Sequence, residues 1–282
     1  MSYQKAKDNI HTFLFSKEKQ LKIAGITNAS QELQWFLQQF FSIKKDYFIF
    51  KKNFILTKKE YKKLNEFINR RIKHEPFQYI IKSAPFYGLD LYVDSNVLIP
   101  RPESEIIIDI IKKKEMFFHS ALDIGTGSGN LALALSINKI SKNITAIDIS
   151  KEAIQVAKKN FSKYQIKKIQ CIECNFLTTK FKKSFDLIVS NPPYISSDEY
   201  LKLDKTIKDF EPKNALTDNS TGLTFYHKLS KSIDFLLKPK GVLLLEIGLE
   251  KKKNIIEKIF KKHSIKWHKD LQNNYRVMEI NK

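Results

Sequence analysis

A glycine-rich turn between an apolar run and an alanine/leucine run is the feature that most restricts the fold of this chain. The parts read Ala121-Leu122-Asp123-Ile124, Gly125-Thr126-Gly127-Ser128-Gly129 and, after Asn130, Leu131-Ala132-Leu133-Ala134-Leu135. Glycine accepts positive φ and lets a ligand approach the backbone, and the first N–H groups of a helix favour negative or polar groups. The pattern predicts a strand, a ligand-binding loop and a buried helix in an open α/β sheet. Its G-x-G-x-G spacing differs from the G-x-G-x-x-G of dinucleotide binders.

Two later strand ends carry polar residues that suit the same sheet. Asp148 lies near the end of an apolar run, where a carboxylate is expected to bind the hydroxyls of a ribose. A second run, 185–190, ends in Asn191-Pro192-Pro193-Tyr194. Each proline fixes its own φ, removes an N–H donor and holds the preceding residue extended.

The Asn191 amide oxygen and the Pro192 carbonyl then form a pair of acceptors for a planar –NH₂ group. Tyr194 offers a ring that stacks on that plane. In the alternative interpretation the two prolines only end a strand and the tyrosine only packs. The glycine loop upstream favours a functional site.

Together these residues resemble the S-adenosylmethionine-dependent methyltransferases that carry an Asn/Asp-Pro-Pro-Tyr motif. Four further segments narrow the resemblance to the glutamine methyltransferases of class I peptide chain release factors (the HemK/PrmC family). They are Leu98-Ile99-Pro100-Arg101-Pro102-Glu103-Ser104-Glu105, Phe210-Glu211-Pro212, Leu243-Leu244-Leu245-Glu246-Ile247-Gly248 and Asn274-Tyr275-Arg276-Val277. The first is similar to the family's Ile-Pro-Arg-Pro-Glu-Thr-Glu signature, with Ser104 in place of threonine. The resemblance is strong from about residue 75 onward and weak before it.

The resemblance implies an α/β fold with a Rossmann-like class I S-adenosylmethionine methyltransferase sheet, mostly parallel with an antiparallel last strand, and a small N-terminal helical domain. It divides the chain into a helical release-factor-binding domain (1–84), a hairpin and proline-rich linker (85–103) and a methyltransferase domain (104–282). The patterns predict strands at 120–125, 143–149, 168–174, 185–191, 241–248, 264–271 and 274–281. They predict helices near 104–115, 129–138, 151–161, 222–237 and 250–262.

Local signals refine this outline. Ser30 is predicted as the N-cap of a helix with Leu33 in its first turn. Thr57 and Glu60 have the spacing of a capping box. Residues 86–93 alternate around a glycine and predict a hairpin. The last two strands are joined by a short connection, which predicts antiparallel pairing.

The resemblance implies S-adenosyl-L-methionine as the cofactor. The predicted cofactor-binding residues are Gly125, Thr126, Gly127, Ser128, Gly129, Asp148, Asn175, Phe176 and Asn191. Asn175 stands where the family usually carries an acidic residue facing the adenine, so weaker cofactor binding is expected. Asp123 is predicted to order the loop and to reach the cofactor's amino group indirectly, and Glu246 to act similarly on the substrate side.

Direct methyl transfer to an amide nitrogen is the predicted reaction, with Asn191, Pro192 and Tyr194 as catalytic residues. Pro193 completes the predicted substrate-binding set. No residue stands out as a general base. Arg101 and Glu103 either wall the active site, as in the family, or form an ordinary surface pair, which is the interpretation we favour.

Composition argues against direct nucleic-acid binding and against a metal site. The formal charge of +20 comes almost entirely from lysine, because arginine occurs only at Arg70, Arg71, Arg101 and Arg276, and lysine is the poorer residue for bidentate recognition of phosphate or guanine. Direct nucleic-acid binding is therefore not expected. Cys171 and Cys174 form an isolated C-x-x-C, and the histidines are scattered, so no metal is predicted.

The expected partner is a class I release factor, free or on the ribosome, in the cytoplasm, and no membrane span or signal peptide is predicted. Three alternatives remain open. The first is an adenine-N6 nucleic-acid methyltransferase, because the planar –NH₂ group of adenine also needs two hydrogen-bond acceptors. The second is a glutamine methyltransferase of a ribosomal protein, which the motif residues do not distinguish from the release-factor enzyme. A non-catalytic cofactor-binding protein is disfavoured because every motif position needed for chemistry is filled.

Overall fold

The glycine loop follows an interior strand of a mostly parallel sheet in the computed structural model of the chain. The structure describes residues 3, 9–41, 43, 54–248 and 250–282. The chain divides into two compact units, Met1–Ile81 and Lys82–Lys282. Parts of the predicted helical segment, residues 4–8 and 44–53, lie outside the described residues.

The first unit is helical where it is described. Its helices are α1 (Ile10–Ile23), α2 (Ala29–Phe41), α3 (Lys58–Ile72) and α4 (Phe77–Ile81). The capping box is confirmed, since the Thr57 N–H donates to the Glu60 carboxylate at 2.8 Å and the Glu60 N–H donates to the Thr57 hydroxyl at 3.2 Å. Phe36 of α2 stacks on Phe67 of α3 with 4.2 Å between ring centroids.

The prediction of Ser30 as an N-cap is wrong. Helix α2 begins at Ala29, because the Asn28 carbonyl already accepts a hydrogen bond of 2.9 Å from the Glu32 N–H. Ser30 therefore lies within the first turn. The apolar pattern that begins at Leu33 did not show how far the helix extends toward its N-terminus.

The predicted hairpin opens the second unit. Strands β1 (Ala84–Phe86) and β2 (Leu89–Leu91) pair antiparallel. Tyr87 and Gly88 between them have φ of 48° and 75°, as a tight two-residue turn requires. The predicted linker region therefore begins with ordered structure that packs into the core of this unit, where Phe86 and Leu91 are fully buried.

The described residues form a seven-stranded sheet, which confirms the predicted fold. Its strands are β3 (Phe118–Ile124), β4 (Ser141–Asp148), β5 (Ile169–Glu173), β6 (Phe185–Ser190), β7 (Leu237–Glu246), β8 (Ile265–Lys269) and β9 (Tyr275–Asn281). Their order is β5-β4-β3-β6-β7-β9-β8. Pairing is parallel from β5 to β7, and β9 is antiparallel to both of its neighbours.

Helices cover both faces of this sheet. They are α5 (Glu105–Lys113), α6 (Asn130–Ile137), α7 (Lys151–Lys163), α8 (Ser197–Leu201), α9 (Lys205–Phe210), α10 (Lys213–Leu216), α11 (Thr224–Leu236) and α12 (Lys253–Ile259). Leu187 and Val189 pack with α5, α6 and α7, whereas Ile188 packs with α11 and α12. Successive strand residues point to opposite faces, so a sheet that is covered on both faces needs the continuous apolar runs seen in the sequence.

Parallel strands bring their carboxyl ends to one edge of the sheet. The loop after β3, Asp148, Asn191 and Glu246 therefore share that edge.

The short helices α8 to α10, which lie between β6 and α11 in the chain, were not predicted because none exceeds six residues. Among the described residues, no helix has the length and apolar character that crossing a bilayer requires.

Candidate active site

The glycine loop and the Asn191 segment begin side by side. β3 and β6 are parallel neighbours with Ile124 opposite Ser190, and the Ser190 hydroxyl donates a hydrogen bond of 2.6 Å to the Ile124 carbonyl. β4 and β5 lie on one side of this pair and β7 on the other. Ligands of open α/β sheets bind where the strand order reverses in this way.

The three glycines of the loop have different surroundings. Their φ angles are 71° at Gly125, 53° at Gly127 and 81° at Gly129. A Cβ on Gly125 or Gly127 would meet no described atom within 4 Å, whereas a Cβ on Gly129 would lie 2.6 Å from Cε1 of Phe161. Gly129 therefore allows the start of α6 to pack on the core. Gly125 and Gly127 leave open space above the loop, while the side chains of Thr126 and Ser128 are buried.

Asp123 is buried beneath this loop. Its Oδ2 accepts hydrogen bonds from the Thr126 hydroxyl at 2.7 Å and from the Ala132 N–H at 3.2 Å. Its Oδ1 is also buried and has no hydrogen-bond partner in the part of the chain that the structure describes. Burial, with a smaller effect from the charge of Asp148, raises the pKa of Asp123 to about 7 despite those two bonds.

Asp148 links the loop to the next strand. Its Oδ2 accepts from the Gly127 N–H at 2.9 Å, and its Oδ1 accepts from the Ser150 N–H at 3.0 Å. Burial raises the pKa of Asp148 above its usual value. The carboxylate is only partly exposed and lies beside the open space over Gly127.

Asn175 and Phe176 follow β5. The Asn175 Oδ1 accepts from the Leu177 N–H at 2.9 Å, which holds the side chain in a turn. Phe176 is 4% exposed and stacks on Phe225, with ring centroids 6.1 Å apart and an interplanar angle of 13°. Phe176 therefore has little free surface, and the predicted adenine contacts of both residues stay predictions.

Asn191 is connected to Glu246 through Ser104. The Asn191 Nδ2 donates to the Ser104 Oγ at 3.1 Å, and the Ser104 hydroxyl donates to the Glu246 Oε2. The Tyr194 hydroxyl donates to the other oxygen of this carboxylate at 3.4 Å. Within the described residues the Asn191 Oδ1 receives no hydrogen bond. The nitrogen side of the amide is therefore held, and its oxygen remains available to a ligand.

Two glycines allow Tyr194 to occupy its position. A Cβ on Gly248 would lie 2.5 Å from Cδ2 of Tyr194, and a Cβ on Gly222 would lie 2.2 Å from the carbonyl oxygen of Tyr194. The Lys252 ammonium donates to the same carbonyl at 2.6 Å and to Glu199 at 2.7 Å. Burial raises the pKa of Tyr194 well above its ordinary value, so the ring carries a neutral hydroxyl. Of the two prolines before it, Pro192 is buried and Pro193 is partly exposed.

Arg101 contacts a carboxylate from a distant segment. Its Nη2 lies 2.6 Å from Oε1 of Glu211, whose side chain is 3% exposed, and the Glu211 Oε2 accepts from the Ile99 N–H at 3.3 Å. The interpretation of Arg101 and Glu103 as an ordinary surface pair is therefore wrong. A buried carboxylate needs a cation and further donors, and here the proline-rich segment supplies them.

Several residues of this site were not predicted from the sequence. They are Ser104, Glu211, Gly222, Gly248 and Lys252. Ser104, Glu211 and Gly248 lie in the segments that carry the resemblance, so that signal pointed to them without giving a role. Nothing in the sequence distinguished Gly222 or Lys252, because their contacts with Tyr194 depend on the tertiary fold.

Two family models and a solved structure match parts of this chain. Residues 102–209 match the family model described as the methyltransferase small domain, and residues 17–81 match the PrmC N-terminal domain. The crystal structure of a methyltransferase from Pyrococcus furiosus has the same fold, with a TM-score of 0.52 and 22% identity over 76% of this chain and 96% of that one. The chain is an α/β methyltransferase.

Curated relatives identify the family within this class. The release factor glutamine methyltransferase of Fusobacterium nucleatum is 36% identical over 88% of this chain and 71% of its own length. That of Buchnera aphidicola is 35% identical over 91% of this chain and 93% of its own length. The chain belongs to the release factor glutamine methyltransferase family. It also matches the bifunctional methyltransferase of Rickettsia prowazekii with 33% identity over 96% of this chain, but it spans only 57% of that protein.

Proposed function

We propose that the chain transfers the methyl group of S-adenosylmethionine to the side-chain amide nitrogen of the glutamine in the Gly-Gly-Gln motif of class I release factors. The observation that carries this proposal is the orientation of Asn191. Its Nδ2 is bonded to Ser104, so its Oδ1 is free to accept from an –NH₂ group. The names of the relatives described above, release factor glutamine methyltransferases, support the same acceptor. We expect the reaction in the cytoplasm, where release factors end translation.

The residues around the glycine loop fit S-adenosylmethionine. The space over Gly125 and Gly127 accommodates a ligand close to the backbone. The Asp123 Oδ1, buried without a donor among the described residues, suits the ammonium group of the cofactor, reached through an ordered water. Asp148 would accept from the ribose hydroxyls while it holds the Gly127 N–H. When bound, the cofactor supplies an electrophilic methyl group.

The substrate end of the site must activate a weak nucleophile, because the lone pair of an amide nitrogen is delocalised into the carbonyl. Asn191 Oδ1 and the Pro192 carbonyl accept both hydrogens of the –NH₂ group and so turn its nitrogen toward the methyl donor. Alignment of this kind is equivalent to an effective molarity of about 10⁵ M or more. The two acceptors also offset the positive charge that develops on nitrogen.

The remaining residues orient the substrate and do not transfer protons. Tyr194, held against Gly248, stacks on the plane of the substrate amide. No general base is required, since the nitrogen proton becomes acidic once the methyl group has been transferred. The reaction therefore depends on geometry and on fixed acceptors.

The helical unit is the proposed binding site for the release factor. Residues 17–81 match the PrmC N-terminal domain, and several large apolar side chains are exposed in this unit, including Phe15 at 69% and Trp35 at 49%. Exposed aromatic residues are frequent in protein interfaces. The release factor would be bound either free or on the ribosome.

Replacing Asn175 with aspartate should tighten cofactor binding. Aspartate keeps the turn bond to the Leu177 N–H and adds a charge-assisted bond to the adenine amino group, which is expected to raise affinity about 5-fold. Calorimetric titration of S-adenosylhomocysteine into both proteins measures the change. Asn143→Asp, which adds the same charge at an exposed site on β4, is the control. Unchanged or weaker binding to Asn175→Asp would argue against this adenine contact.

Asp123 should make cofactor affinity depend on pH. Its pKa is raised to about 7 by burial, so the carboxyl is neutral below that pH and charged above it. A cationic ligand group binds the charged form better, and affinity should therefore rise as pH increases through about 7. We expect Asp123→Asn to lower affinity about 10-fold at alkaline pH and only slightly at acidic pH. An equal loss at both pH values in calorimetric titrations would contradict this assignment.

Methyl transfer from labelled S-adenosylmethionine tests the proposed function. The chain is incubated with either a class I release factor or duplex DNA, and peptide mass spectrometry then locates the added methyl group. We expect label in the release factor, on the glutamine of the Gly-Gly-Gln loop. Label in DNA with none in protein would overturn the proposal in favour of an adenine-N6 methyltransferase.

A further inference from the structure

Behind Asn191 lies a series of hydrogen-bonded, buried polar side chains, and the last of them, Glu246, has no part in the reaction as derived so far. Ser104 is 1% exposed and Glu246 is 2% exposed, and they are 142 residues apart in sequence. We propose that Ser104 and Glu246 are positioning residues that fix and polarise the Asn191 amide for methyl transfer. This inference rests on the proposed function, because it assigns Asn191 Oδ1 as the acceptor for the substrate –NH₂ group.

The hydrogen-bonding capacity of a serine hydroxyl fixes the direction of this chain. A hydroxyl has one hydrogen to donate and two lone pairs. The Ser104 Oγ accepts from the Asn191 Nδ2 at 3.1 Å and donates to the Glu246 Oε2. Glu246 is therefore the final acceptor in the series of hydrogen bonds from Asn191 through Ser104. The amide nitrogen of Asn191 is held toward Ser104, and its oxygen is directed away from Ser104.

This orientation matters because the two ends of an amide group are similar in size but opposite in hydrogen-bonding character. If the Asn191 amide turned over, its –NH₂ group would meet the –NH₂ group of the substrate, and neither could accept. A negative charge on Glu246 also strengthens the Ser104 hydroxyl as an acceptor, since hydrogen bonds in a chain polarise one another. The Asn191 oxygen then becomes a stronger acceptor for a nitrogen that gains positive charge.

Glu246 interacts with charged and titratable groups from several segments of the chain. Tyr194 donates to its Oε1, and the Tyr226 hydroxyl on α11 donates to its backbone carbonyl at 3.0 Å. The Glu103 charge raises the pKa of Glu246 and the Arg276 charge lowers it. Arg276 is itself paired with Asp270 at 2.8 Å. Burial is the largest effect and raises the pKa of Glu246 to about 7.

Protonation of Glu246 should therefore be visible at Asn191. As pH rises through about 7, Glu246 gains its charge, Ser104 becomes a stronger acceptor, and the side-chain amide protons of Asn191 should shift. NMR of asparagine-labelled protein, without any substrate, measures this shift. We expect a pH-dependent signal in the wild type that is lost in Glu246→Gln and in Ser104→Ala.

Kinetics distinguish a positioning role from a purely structural one. We expect Ser104→Ala and Glu246→Gln to lower kcat about 10-fold with unchanged cofactor Kd, and Ser104→Thr to restore kcat because the hydroxyl is retained. In the wild type kcat should rise as pH increases through about 7 and Glu246 gains its charge, and in Glu246→Gln this rise should disappear. Ser141→Ala removes another buried hydroxyl, at the start of β4, and Glu279→Gln neutralises a carboxylate that is 1% exposed on β9. Both controls should keep wild-type kcat.

The NMR shift of Asn191 and the kcat of the variants test the inference separately. An Asn191 signal that does not respond to pH in the wild type, or that still responds in Ser104→Ala, would overturn the inference even if release factor is methylated. Wild-type kcat in Ser104→Ala would overturn it as well. If the release factor is not methylated at all, the proposed function fails, and the NMR result alone then decides whether the three side chains are coupled.

Discussion

Asn191→Ala should lose about 10²-fold or more of its turnover while it still binds the cofactor. The substitution removes the oxygen that accepts from the substrate –NH₂ group, and this contact strengthens in the transition state as charge develops on nitrogen. Single-turnover methyl transfer to a release factor, with the cofactor Kd measured separately, gives the two quantities. The loss should appear in kcat, with little change in cofactor Kd.

The control for this variant is Asn143→Ala. Asn143 lies near the amino end of β4, at the edge of the sheet opposite to the site, and its side-chain amide donates to the His119 carbonyl at 3.0 Å. It should retain wild-type turnover. If Asn191→Ala keeps its turnover and loses the cofactor instead, the roles assigned to the two loops are wrong.

Gly129→Ala should destabilise the methyltransferase unit by about 2–5 kcal/mol, combining the cost of a left-handed backbone with the cost of overpacking. The added Cβ would lie 2.6 Å from the Phe161 ring and 3.1 Å from the Ala157 Cβ. Both residues belong to the buried cluster under α6 and α7, so the ring has little room to move. Denaturant unfolding measures the loss, and cofactor binding should fall with it because Gly129 is the N-cap residue of α6.

Gly127→Ala is the matched comparison for that variant. Its φ of 53° is also positive, but a Cβ there would meet no described atom within 4 Å. We expect a stability loss of only about 1 kcal/mol from backbone strain, together with a large loss of cofactor affinity as the methyl group enters the ligand space. Equal destabilisation by the two substitutions would contradict the distinction between a packing glycine and a ligand glycine.

The sequence predicted the sheet because its signals are local. Continuous apolar runs mark strands that are covered on both faces, and the glycine loop after Ile124 marks an interior strand of the sheet. The short connection before Tyr275 correctly predicted that β8 and β9 pair antiparallel. The prediction that the helix starts after Ser30 was wrong. The hydrogen bond from the Glu32 N–H to the Asn28 carbonyl extends the helix toward its N-terminus, and the pattern of apolar residues does not indicate such a bond.

The candidate site was predictable only in part, because some of its contacts join segments that are distant in sequence. That the loop 125–129, Asp148 and Asn191 lie at one edge of the sheet could be predicted from their places after strands. The connection from Asn191 to Glu246 through Ser104 could not, since it joins three segments that meet only in the folded sheet. Arg101 was misassigned because its partner Glu211 is 110 residues away in sequence.

A crystal structure with S-adenosylhomocysteine and a Gly-Gly-Gln peptide tests most directly whether Asn191 and Pro192 hold the substrate amide. We expect the glutamine –NH₂ group to donate to both Asn191 Oδ1 and the Pro192 carbonyl, with its nitrogen facing the cofactor sulfur. A complex in which Asn191 turns away from the sulfur, or in which other side chains separate the two, would contradict the proposed mechanism.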